Sequence, residues 1–134
     1  EVTVIHLAGP GYSGRGVKIK DLSVAEKEDA LLSAAKQTKT DPDRFPLVRL
    51  TEGVRRMLVA VTEKGMSDMD AVRKAKWRNC TLQELELPGG DRSIDKMFTS
   101  KDKDLLDELF HRRHDVSLLE VDAVMGKAVT ASEE

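Results

Sequence analysis

Phe45 to Gly65, FPLVRLTEGVRRMLVAVTEKG, constrains this chain more than any other stretch, because no other segment is apolar enough to run through the middle of a domain. Leu47, Leu50, Val54, Leu58 and Val61 recur at spacings of three and four, which places them on one helical face. Met57, Val59 and Ala60 widen that face until the second half is apolar on most sides. Lys64 suits the C-terminal end of a helix dipole, and Gly65 offers a left-handed stop. The spacing predicts a central helix over 46–64. Burial of each large side chain stabilises by roughly 1.5–3 kcal/mol, which is less than the backbone entropy lost over about twenty ordered residues at 1–2 kcal/mol each. Such a helix cannot stand alone, so the remaining chain must wrap it.

The flanking segments supply the wrapping. Val2 to Leu7 is β-branched, and Val17 to Lys20 alternates apolar and cationic residues, so both read as strands. Between them AGPGYSGRG is too glycine-rich for regular structure, giving a β-hairpin over 1–20 with a long, flexible tip. Ser23 and Glu26 match a capping box at the start of a helix over 24–37, whose inner face is Ala30, Leu31, Ala34 and Ala35. Thr38 to Pro46 is a linker. Beyond Gly65 a short helix over 68–76 is expected. Thr81 and Glu84 open another that ends before Pro88-Gly89-Gly90, and Ser93 caps a single turn through Met97. A helix over 100–113 carries Leu105, Leu106, Leu109 and Phe110 inward and ends in cations. Ser117 with Glu120, and Val116 with Val121, form the entrance of a last helix over 118–128, and 131–134 is an acidic tail. The expected fold is mainly α (α+β): one compact multi-helix domain over 1–130 with an N-terminal β-hairpin.

Several function classes are disfavoured at once. Charged residues make up 34% of the chain with both signs interspersed and a net charge of −2, so there is no general attraction for nucleic acid or anionic membrane. The longest apolar run, Met57 to Val61, is far shorter than the roughly 20 residues that span a bilayer, and no secretory leader pattern is visible. Cys80 is the only cysteine, which excludes an internal disulfide and suits a reducing compartment.

The motifs that suggest chemistry fail on context. Gly9, Gly11 and Gly14 match G-x-G-x-x-G after a strand, yet a strand pattern follows instead of a helix, and Pro10 removes one amide from any phosphate cradle. Glu108 and His111 have the spacing of a di-iron ligand pair, but a bundle site needs a second such pair, which the chain lacks. Arg73, Lys74, Lys76 and Arg78 surround Trp77 and could hold a phosphate backbone and stack a base. They serve equally as a solvated face with the indole turned inward, or as a Trp–Arg anchor for a protein partner. Cys80 has no histidine near it in sequence, and Ser13 does not sit in a strand-to-helix elbow. No catalytic, cofactor-binding or metal-ligating residues are therefore expected, and no enzyme.

A short β segment, then KDLSVAEKEDALL, then amphipathic helices with a late FTSKDKDLLDELFHRRHDVSLLEVDAV segment resembles the small tail and assembly proteins of tailed bacteriophages, such as tail-assembly chaperones and small baseplate components. The resemblance lies in the order and pattern of elements and brings no catalytic residues with it. It implies a non-enzymatic protein that binds other subunits of an oligomeric particle, in the virion or the host cytoplasm. A hairpin with a free edge suits such a role, since another chain can complete it by strand addition. Val2, Val4, Val17 and Ile19 are the expected side chains of that joint, with Trp77 and Arg78 as further anchors. The alternative is a small nucleic-acid-associated or regulatory helical protein that uses Arg73 to Arg78 and His111 to His114 as its basic surface.

Overall fold

The computed structural model describes residues 2–114. The last helix and acidic tail expected over 118–134 lie outside the described residues. The chain runs β1 (Val2–His6), β2 (Gly16–Lys20), α1 (Val24–Gln37), a 3-10 turn (Pro42–Arg44), α2 (Phe45–Met57), β3 (Leu58–Thr62), α3 (Met69–Lys74), β4 (Trp77–Asn79), α4 (Leu82–Glu86), α5 (Ile94–Met97) and α6 (Ser100–His114). This is an α+β fold in which the N-terminal hairpin belongs to a four-stranded antiparallel sheet of order β1-β2-β3-β4.

The central helix is shorter than its sequence suggests. α2 stops at Met57, and Leu58 is already extended at φ −71°, ψ 123°. LVAVT then forms β3, paired with β2 through Val17–Val61 and with β4 through Val61–Arg78. A short apolar run fits a buried strand as well as a buried helix, and its β-branched residues favour the strand once partners exist on both sides. The helical face moves as well. Leu47 is 69% exposed, whereas Phe45, Arg49, Glu52, Gly53, Val54 and Met57 are buried.

Ile5, Val17, Ile19, Leu58 and Val61 turn to the face covered by the helices. There they meet Ala34 of α1, Phe45, Val54 and Met57 of α2, Leu85 of α4, and Leu106 and Phe110 of α6 in one apolar cluster. The capping box at Ser23–Glu26 is formed in both directions. Asp68 and Thr81 cap α3 and α4 through their side chains. The small inner face of α1 lets α2 approach closely.

On the opposite face α3 packs at one point. Val72 is buried against Gly16, where a side chain would collide with Val72, Trp77 and Thr62. The AGPGYSGRG segment is not a free tip. Gly14 O accepts the Met66 amide at 2.7 Å, and the Arg15 guanidinium donates to Thr62 O and Glu63 O at 2.7 and 2.8 Å. The Ser13 amide donates to Asp102 of α6 at 3.1 Å, and Lys101 Nζ donates to Pro10 O at 3.0 Å. His6 Nε2 lies 3.0 Å from both Gly14 O and Met66 O, two acceptors that require the proton on that nitrogen.

α2 and α6 meet where Gly53 lies against the ring of Phe110, which is fully buried. An added methyl would overlap the ring, and the packed core leaves the ring no room to move. Gly53→Ala is expected to lower stability by about 1–3 kcal/mol in chemical denaturation, despite alanine's higher helix propensity. A neutral or stabilised variant would contradict this packing.

Candidate functional site

The six residues expected to meet a partner fall into two groups. Val17 and Ile19 are fully buried, since β3 occupies the edge of β2 that the sequence suggested was free. They are core residues and cannot form a joint with another chain. Val2 and Val4 remain 47% and 36% exposed on β1, the outermost strand. Trp77 and Arg78 lie on β4, the other outer strand, rather than on a helix.

The two outer strands differ. β1 is five residues long, VTVIH, without a lysine, arginine, aspartate or glutamate. Its Leu7 end is tied to β2 by the Leu7 amide donating to Arg15 O at 2.9 Å. Antiparallel alternation counted from that bond directs the backbone groups of Ile5 and Thr3 to β2 and those of Val2, Val4 and His6 outward. Among the described residues, no strand pairs with that outer side. β4 is only three residues long and carries Arg78, and Lys76 precedes it. Short, charged edges of this kind resist pairing.

The two arginines of the basic stretch around Trp77 stand beside carboxylates. Arg78 lies 4.0 Å from Glu63 and 3.7 Å from Glu84, and Arg73 lies 3.7 Å from Asp70. Lys18 Nζ sits 4.5 Å from the centre of the indole, so a cation already covers a face on which a base would stack. The glycine loop is spent likewise. The amides of Tyr12, Ser13, Gly14 and Arg15 all donate within the protein, and the buried Asp102 carboxylate stands where a phosphate would need positive charge. Glu108 is paired with Arg112 at 2.5 Å, and His111 is exposed. No group of three His, Cys, Asp or Glu side chains among the described residues is placed to hold a metal ion. No described helix is long and apolar enough to cross a membrane.

A cleft of about 640 Å³ opens at one end of the sheet, bounded by Glu26 and Asp29 of α1, Arg55 and Arg56 of α2, Lys20 and Cys80. Its charges are committed to one another. Lys20 pairs with Glu26 at 2.8 Å, and Arg56 bridges Asp29 at 2.8 Å and Glu52 at 2.6 Å. Glu52, fully buried behind the cleft, also holds Arg55 at 2.5 Å and accepts from Gln37 at 2.8 Å. This network has a signal in the sequence that apolar periodicity does not reveal. Glutamate followed by arginine at the third and fourth positions is a helical ion-pair spacing; what sequence does not disclose is that the pair lies inside. Burial pushes the Cys80 thiol up to about 11, with the Glu84 charge adding to the effect, so the thiol is a poor nucleophile.

Comparison with protein-family models, with curated proteins and with solved structures found no match to this chain.

Two outcomes follow from the cleft. Burial opposes ionisation of Glu52, but the hydrogen bonds from Gln37 and Arg56 and the charges of Arg55 and Arg56 outweigh it and hold the carboxyl below its ordinary 4.5. The unfolded chain therefore takes up this proton first as pH falls. The stabilisation is complete above 4.5 and is lost as pH drops through the lower folded value. Glu52→Gln is expected to cost roughly 3 kcal/mol at neutral pH, since it leaves two half-buried cations short of charge. It should also flatten the urea stability profile between about pH 5 and pH 3. Cys80 is expected to react with iodoacetamide at pH 8 about tenfold more slowly than a free thiol, the small thiolate fraction being partly offset by higher intrinsic nucleophilicity.

Proposed function

We propose that this chain is a non-enzymatic structural or assembly protein of a phage tail or baseplate-like particle, working by contact with other protein subunits. The observation that carries this reading is the outer side of β1: five residues, uncharged, with Val2 and Val4 exposed and outward backbone groups that no described strand pairs. Strands left this way are templates for another chain, and folded proteins ordinarily blunt them with charge, proline or brevity, as β4 is blunted here. The class of particle comes from the resemblance in element order, a β ribbon followed by the Leu22–Glu26 helix entrance and acidic helices. Mutual neutralisation of the cleft charges and of Arg78 is consistent with a role that needs no bound cofactor. The virion or the host cytoplasm is the setting that this reading implies. No observation favours the nucleic-acid alternative over it.

Proline at position 4 separates folding from docking. The Val4 amide faces outward, so its loss leaves the β1–β2 ladder intact and removes a donor from any added strand. Tagged chain expressed together with the proteins encoded beside it is expected to co-purify with a particle subunit, and Val4→Pro to abolish that recovery. Equal recovery with Val4→Pro, or capture of no particle subunit, would sink the proposal. Amide exchange at Val2 and Val4 is expected to be fast in the free protein and to slow in the complex, whereas Val17 and Ile19 are protected in both.

A further inference from the structure

We infer that the occupant of the β1 edge is β1 of a second copy, paired antiparallel about a two-fold axis at Val4 so that two four-stranded sheets become one continuous sheet. The inference rests on the proposed docking role of β1 and names its partner.

The strand is self-complementary in three respects. Its outward backbone groups belong to Val2, Val4 and His6, alternate positions centred on Val4. A two-fold axis there sets Val4 against the partner's Val4 and Val2 against the partner's His6; with the His6 carbonyl already accepting the Ala8 amide at 2.9 Å, about four N–H···O bonds fall on groups without a partner. Side chains match as well. Val4 would meet its own copy on the face that carries α3, and Thr3 would meet the partner's Ile5 on the helix-covered face, a β-branched pair of the kind that stabilises sheets.

Charge also permits it. VTVIH brings no ionised residue opposite its copy, and the cations nearest the strand already have partners. Lys18 lies over Trp77, Lys20 is held by Glu26, and Arg113, which donates to the Thr3 hydroxyl of the strand at 2.8 Å, is paired with Asp21 at 2.7 Å. The same operation on β4 would bring Arg78 near its own copy, so β1 is the edge that tolerates a two-fold. A five-residue strand is only about 17 Å long and falls short of the roughly 1,200 Å² of a stable interface. The dimer is therefore a weak, concentration-dependent one, closed by its two-fold axis.

Sedimentation equilibrium of the full chain from about 10 μM to 1 mM, a span chosen for weak association, tests this. The average mass is expected to rise from monomer towards dimer, and Val4→Lys, which sets two ammonium groups face to face, to weaken association by roughly tenfold or more. Val4→Pro should act in the same direction, and circular-dichroism melts should show both variants folded. In a Cys80→Ser background, oxidised Val4→Cys is expected to give a covalent dimer, since paired Cα atoms about 5.5 Å apart lie within disulfide reach. Val24→Cys, exposed but off the edge, should not. A monomer across the whole range, or a dimer that Val4→Lys leaves unweakened, overturns the second-copy assignment. If such a chain still loses its particle subunit on Val4→Pro, the assignment fails while the docking role stands.

Discussion

Residues 58–62 have to be hydrogen-bonded on both sides once they are buried, and the rest of the fold follows from that requirement. A buried backbone without partners costs more than the apolar burial of LVAVT can return. β2 supplies one set of partners and β4 the other, with Val61 standing between Val17 and Arg78. Because β2 is drawn inward, the hairpin loses its inner edge and keeps only the outer side of β1. Because β4 is short and charged, the sheet is asymmetric: one edge is guarded, and along the other no described strand pairs with β1.

The helices on the covered face are held by more than apolar contact. α2 buries Arg49 and Glu52 on the same side as Val54, and the Arg49 guanidinium lies over the Phe110 ring at 5.1 Å. Glu52 gathers Gln37 from α1 and Arg55 and Arg56 from its own helix, and Arg56 continues to Asp29. Buried ion pairs are weak evidence for stability, since desolvation consumes much of the attraction. Their directionality is another matter, because only one sliding position of α1 against α2 lets Gln37 and Asp29 both reach this cluster. The network thus sets the alignment of two helices whose contact, at Ala30 and Ala34, is otherwise smooth.

The glycine-rich loop shows how a segment that looks flexible becomes part of the framework. Gly14 takes φ 81°, and a side chain at Gly65 would strike Ser13 O, so two backbones pass closely where only glycine fits. The loop is thereby stitched to the turn after β3, while Asp102 and Lys101 tie it to the start of α6. The amides of Tyr12, Ser13, Gly14 and Arg15 all donate within the protein, which explains why a pattern shared with phosphate-binding loops yields no cradle here. Glu108, Arg73 and Arg78 are likewise paired within the protein, while the outward backbone of β1 has no described strand beside it.

Much of this was legible in the residues themselves. The hairpin strands, the capped starts at Ser23 and Thr81, the inner faces of α1 and α6 and the break at Pro88 are local matters, decided by groups within a few residues of one another. Val2 and Val4 were legible as joint side chains only together with Val17 and Ile19, because alternation along a hairpin does not tell its outer strand from its inner one. The boundary at Met57 was not, nor the burial of Val17 and Ile19, nor the inward turn of Arg49 and Glu52 in place of Leu47. A five-residue apolar run is content as helix or strand. Which it becomes depends on hydrogen-bond partners some forty residues before it and twenty after it, a choice that exists only once the chain has closed on itself.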